Sequence, residues 1–86
     1  MRVQLPSPLL DYTRGLRNVQ ATGVTLDAVL NDLDRQYPGI RFRIIDEQGR
    51  VRQHIKLFVD QDLCRDLGTA VTDSGELIII AALSGG

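Results

Sequence analysis

The chain has 86 residues, 43% of them hydrophobic and 24% charged, which is too little to build two hydrophobic cores and describes one small domain. Ten Lys plus Arg stand against eleven Asp plus Glu for a formal charge of −1, so no net positive field is available to hold nucleic acid or anionic lipid non-specifically. The longest apolar run, Leu77 to Leu83, is far short of the roughly 20 residues that cross a bilayer. Met1-Arg2-Val3-Gln4-Leu5-Pro6 lacks the pattern of a secretory signal, and the expected location is the cytoplasm.

Val3 and Leu5 alternate with Arg2 and Gln4, the two-residue period of a half-buried strand. Pro6-Ser7-Pro8 ends it because proline lacks the ladder N–H. A loop through Leu9 to Thr13 leads to a second strand within Gly15 to Ala21, which makes a hairpin with the first. Thr25 then caps a helix reaching about Gln36: Asp27 lies in its first turn, where the dipole favours an anion, and Leu26, Val29, Leu30, Leu33 and Tyr37 recur at helical spacing. Tyr37-Pro38-Gly39 terminates it.

Phe42 and Ile44 alternate with Arg41 and Arg43, which predicts a strand turning at Asp46-Glu47-Gln48-Gly49 into another. In that next strand Val51, Ile55, Leu57 and Val59 alternate with Arg50, Arg52, His54, Lys56 and Phe58. Asp60 to Gly68 reads as a loop holding a short helical turn, and Asp73-Ser74-Gly75 as a tight turn. Glu76 to Leu83 is apolar without alternation, as expected of a strand at the centre of a sheet. The order strand, strand, helix, strand, strand, strand specifies an α+β domain whose mixed sheet packs one face on a single helix.

The residues offer little to a catalyst. Cys64 is the one cysteine and His54 the one histidine, so neither a disulfide, nor a metal cluster, nor a catalytic triad can be assembled from them. The distinctive feature lies at the end: Gly85-Gly86 follow Leu83 and Ser84. With glycine near 7% of residues, two together at a set position arise by chance in roughly 0.5% of chains.

The helix at Val24 to Leu30 with its exit at Tyr37-Pro38-Gly39, the segment Ile55 to Asp60, the turn Thr72 to Leu77 and the ending Leu83-Ser84-Gly85-Gly86 together resemble the β-grasp, ubiquitin-like sulfur carriers of the MoaD/ThiS family. The length and the Asp46 to Gly49 turn are closer to the longer MoaD and CysO-like members. Two features depart from the family's habit: Ala81-Ala82 stand where proline often precedes the glycines, and Asp73-Ser74-Gly75-Glu76 replaces an Asp-Gly-Asp-Glu turn. The resemblance implies a β-grasp domain over 1–83 and a flexible tail over 84–86.

The resemblance also implies that this protein is a substrate, not an enzyme. An E1-like activating enzyme, which itself binds ATP, converts the Gly86 carboxylate to an acyl-adenylate, and a sulfur donor displaces AMP to leave a thiocarboxylate. A sulfur-accepting enzyme of molybdopterin, thiazole, cysteine or similar biosynthesis then receives the sulfur, in some cases with the carrier as the small subunit of a synthase. No cofactor is implied. Residues without Cβ suit Gly85 and Gly86 to a narrow channel.

If Ile55, Leu57 and Val59 face the helix, parity exposes Phe58 on the other face of the sheet, with Ile78 and Ile80 beside it. The resemblance places a partner contact at Ile80. Phe58, Ile78 and Ile80 then form an apolar docking patch ringed by basic residues, with Leu83 and Ser84 continuing the contact; inverted parity or a covering loop would abolish it. The stripe Arg41, Arg43, Arg50, Arg52 and Lys56 lacks an aromatic series, so it reads as a solvated face or the site of an acidic partner, not of nucleic acid. Cys64 is expected half-buried against Leu63 or Leu67. Two other functions fit the same chain: a ubiquitin-like modifier forming isopeptide bonds through Gly86, and a non-covalent module for which the glycines are incidental.

Overall fold

The structure is a computed structural model and describes residues 1–82. Val3, buried between Arg2 and Gln4, belongs to β1 (Arg2–Gln4). The proline pair does not lead into a loop but into a 3-10 helix at Ser7–Thr13, with Pro8 in its first turn, where no backbone donor is needed. It closes on Arg14 and Gly15, both at positive φ (56° and 88°), and β2 (Asn18–Gln20) returns antiparallel to β1 with Val3 opposite Val19. The expected hairpin is present.

α1 (Leu26–Gln36) starts where the capping pattern placed it: Thr25 Oγ1 accepts the Ala28 N–H at 3.1 Å. Two further free donors of its first turn, the N–H groups of Leu26 and Asp27, go to the carbonyls of Thr69 and Leu67 at 2.9 Å each. Leu26, Val29, Leu30 and Leu33 are fully buried.

The strand expected at 41–45 is a helix. α2 (Ile40–Ile44) follows Gly39, whose φ of 96° ends one helix and begins the next. Asp34 accepts the N–H groups of Gly39 (3.1 Å) and Arg41 (3.0 Å), capping α2 from the helix before it. Ile40 and Ile44 are buried four residues apart. Apolar residues at 40, 42 and 44 satisfy a period of two and a helical i, i+4 pair alike; the cap decides between them. Only Ile45 still pairs as a strand residue, by a bridge to Val51 across the predicted turn. In that turn Asp46 accepts the N–H groups of Arg50 and Gln48, which hold its carboxyl below the usual range.

β3 (Ile55–Val59) therefore begins after Arg50 and Arg52, not before them. The helical turn expected in 60–68 is also absent: Asp60 and Gln61 take positive φ (49° and 77°) and turn the chain into a two-residue edge strand, β4 (Asp62–Leu63). β5 (Glu76–Ala81) lies at the centre, in the strand order β2-β1-β5-β3-β4, parallel to β1 and antiparallel to β3. Five strands and the long helix on one face form the α+β arrangement that the element order implied, and with it the β-grasp fold that the resemblance implied. Leu83, Ser84, Gly85 and Gly86 lie outside the described residues. Among the described residues no helix is long and apolar enough to cross a membrane, and no cluster of His, Cys, Asp or Glu could hold a metal ion.

Leu30→Ala, at the centre of the buried stripe, is expected to cost about 2–5 kcal/mol, and Thr25→Ala about 1 kcal/mol through loss of the cap; urea unfolding monitored by circular dichroism measures both. Asp32 accepts the N–H of Thr22 and pairs with Arg35, which hold its carboxyl below the ordinary 3.8. A lowered folded value means this stabilisation is complete above 3.8 and is lost as pH falls further. The advantage of the wild type over Asp32→Asn in urea midpoint should therefore hold at neutral pH and shrink steadily in acid.

Candidate functional site

β5 positions both parts of the site. Its alternate residues Leu77 and Ile79 are buried against α1, while Ile78 is half-buried and Ile80 is 44% exposed on the opposite face. Register fixes their neighbours: Phe58 lies opposite Ile78 and Lys56 opposite Ile80. The expected parity holds in β3, where Ile55 and Leu57 are buried, Val59 is half-buried and Lys56 is exposed. Phe58, Ile78 and Ile80 thus share the open face, as expected.

Phe58 is half-buried, not exposed, because it has an apolar cross-strand neighbour on each side. One is Ile78; the other is Leu63 of β4, 50% exposed. Leu63 extends the patch, and the residue pattern missed it because the polar Asp60 to Gly68 segment carries no strand periodicity. The rim is mixed, not basic: Lys56 borders it, Gln4 lies beside Ile78, and Arg2 pairs with Glu76.

The basic stripe does not exist as one surface. Arg41 pairs with Asp27 of α1 at 2.6 Å, and Arg50 bonds Gln48 within the turn. Arg43 donates from Nε to the Tyr12 hydroxyl at 2.8 Å. Arg52 donates from Nε to the Phe42 carbonyl at 2.7 Å while its guanidinium lies 4.6 Å from the centre of the Phe42 ring. Helix α2 is the reason, since a helix turns Arg41 and Arg43 in different directions where a strand would have aligned them. Cys64 is half-buried, packs on the core with Leu67, and lies 3.2 Å from the Thr69 hydroxyl.

The second part of the site is the exit of β5. Ala82 donates its N–H to the His54 carbonyl at 2.8 Å, so the backbone is held to the segment leading into β3 at the last described residue. Leu83, Ser84, Gly85 and Gly86 themselves are not described.

A model of the ThiS family matches residues 3–86. Sulfur carrier protein CysO of Mycobacterium tuberculosis is 34% identical over 89 residues, covering 98% of this chain and 96% of the relative. Its crystal structure superposes with a TM-score of 0.89 at 32% identity over 95% of this chain and 98% of that one. The crystal structure of the Amycolatopsis orientalis BexX/CysO complex matches with a TM-score of 0.89 at 27% identity, over 99% and 98% of the two chains. SAMP1 from Haloferax volcanii matches with a TM-score of 0.79 at 26% identity, over 100% and 98%.

The two faces of β5 are separable by mutation. Ile79→Ser should lower the unfolding free energy by about 3 kcal/mol or more by placing a hydroxyl in the core, whereas Ile80→Ser should stay within about 1 kcal/mol; paired urea titrations give the contrast directly.

Proposed function

The chain belongs to the ThiS family, and from that premise we propose that it is a sulfur carrier: a protein substrate whose Gly86 carboxylate is activated by adenylation and converted to a thiocarboxylate. The observation that carries this is a family match running through residue 86, across a terminal Gly85-Gly86, on a fold shared with the CysO carriers.

In this reading the Gly86 carboxylate oxygen attacks the α-phosphorus of ATP bound by an E1-like partner, and pyrophosphate leaves. Hydrosulfide delivered by a sulfur donor then adds to the acyl carbon, and AMP leaves with the oxygen it gained. An accepting enzyme takes the sulfur from the thiocarboxylate. Gly85 and Gly86 carry no Cβ, so they pass a channel too narrow for side chains and leave the carbonyl free to meet the phosphate. The fold keeps the tail's root fixed through the Ala82 to His54 hydrogen bond.

Docking falls to the open face. Phe58, Ile78 and Ile80, with Leu63 added, offer an apolar core within a polar rim, the composition of a transient interface. Leu83 and Ser84 continue that contact toward the channel. A CysO protein from Amycolatopsis orientalis is found in a complex with BexX, which supports a role through a bound partner here. Of the sulfur-requiring pathways, molybdopterin, thiazole and cysteine, the similarity to CysO proteins favours cysteine. We place the protein in the cytoplasm, where such carriers meet their ATP-dependent partners.

A second reading, a ubiquitin-like modifier joined through Gly86 to lysines of target proteins, is favoured by the likeness to SAMP1, a small archaeal modifier protein. Both need the same adenylate and differ in the acceptor. Intact mass spectrometry of the protein from its host separates them. The carrier should show the mass gain of one oxygen replaced by sulfur; adducts from Gly86 to lysine indicate the modifier. Neither species, with activating enzyme and sulfur donor supplied, rules out both. Appending one alanine after Gly86 should abolish either product, because the carboxylate then carries a Cβ and sits one residue too far.

A further inference from the structure

Where the described chain ends, the surface is hollowed into a cleft of about 660 Å³ between the 3-10 helix, α2 and the segment leading into β3, with Ala81 and Ala82 among its lining. Arg43, Arg52 and His54 line it, against a single acid, Asp11. The two arginines are held in the same way, each by its Nε: Arg43 on the Tyr12 hydroxyl, Arg52 on the Phe42 carbonyl and over the Phe42 ring. Among the described residues neither takes part in an ion pair, with Asp11 or any other acid, and their terminal amino groups donate to no protein atom. A guanidinium is a rigid fork of donors. One fixed through Nε has already lost much of its rotamer freedom, so an incoming anion meets a preorganised pair of forks.

We propose that this cleft receives carboxylate side chains of the partner protein that activates Gly86, presented around the mouth of the channel that takes the tail; the inference rests on the carrier reading above. The length of chain beyond the cleft gives the geometry. Four residues follow Ala82, and fully extended they span at most about 14 Å. A carboxylate that must meet a nucleotide inside a partner therefore brings the surroundings of Ala82 up to that partner's surface. The arginines reach the rim of the channel, and an extended tail holds them away from the nucleotide's phosphates at its far end. Acidic side chains at the rim are the anions within their range. A second copy of the chain is a poor occupant, because a two-fold contact would set one pair of arginines against the other. The apolar patch on the open face supplies buried area, and the cleft supplies orientation by charge on the edge from which the tail leaves.

The test is ATP–pyrophosphate exchange by the host's activating enzyme, with this chain as the varied substrate over a range of salt concentrations. Reversing both charges, Arg43→Glu with Arg52→Glu, should raise the apparent KM for the chain on the order of tenfold or more, leave kcat close to that of the wild type, and flatten the salt dependence of KM. Arg43→Lys with Arg52→Lys should fall between, keeping charge without the fork. Thermal unfolding of each variant controls for folding; should the double reversal fail to fold, Arg43→Gln, at an exposed position, carries the same test. An unchanged KM overturns the proposal. So does a fall in kcat at constant KM, which would assign the arginines to the nucleotide phosphates, and so does a wild-type dimer in sedimentation that the reversal dissociates, which would assign the cleft to a second copy. Absence of exchange with the wild type removes the carrier reading and this inference together, whereas normal exchange indifferent to the reversal removes the inference alone.

Discussion

The structure depends on β5 being hydrogen-bonded along both edges, to β1 on one side and β3 on the other. A strand paired on both sides cannot shift register without breaking two ladders, and a shift of one residue would carry Leu77 and Ile79 out of the core and Ile78 and Ile80 into it. Burying each of those inward side chains is worth about 1.5–3 kcal/mol, so the register is strongly held. That one constraint sets the apolar residues of the open face and the place and direction in which the chain leaves the sheet. The apolar residues of the open face and the place where Ala82 is held are consequences of a single strand.

The supporting structure satisfies backbone groups at the ends of elements with partners from outside those elements. Asp34 at the end of α1 caps α2, the Leu67 to Thr69 loop caps α1 alongside Thr25, and Asp60 accepts the Glu76 N–H at 2.9 Å where β5 begins. At Gly75 beside it space is tight: a Cβ there would come within 3.1–3.2 Å of the Asp60 carboxylate and the Met1 side chain, which would have to give by a few tenths of an ångström to admit it. In a small domain with a limited core, such contacts tie the turns to the sheet at little cost in apolar area.

The charge distribution is more informative than its sum. A formal charge of −1 over the chain conceals a local arrangement in which three arginines are committed to acids: Arg2 to Glu76, Arg35 to Asp32, Arg41 to Asp27. Arg43 and Arg52 are anchored through neutral groups instead, at the edge where the tail emerges. A neutral hydrogen-bond partner fixes a guanidinium without neutralising it, which leaves its charge available to a second molecule.

The elements legible from residues alone were those written in local chemistry. The Thr25 cap and the apolar stripe of α1, the β1–β2 hairpin, the turns at Asp46 to Gly49 and Asp73 to Gly75 and the central apolar strand are patterns complete within a few residues. What the sequence could not decide was which backbone groups a side chain would cap and which way a turn would send the chain. Ile40 to Ile44 satisfies both periods, and Asp34 makes it a helix; once it is a helix, the basic stripe read from strand alternation disperses. Leu63 joins the apolar face only because Asp60 and Gln61 take positive φ and return the chain along β3. Local periodicity tells which residues will be buried, but their neighbours on a surface are chosen by the packing of elements distant in sequence, and that is decided only in three dimensions.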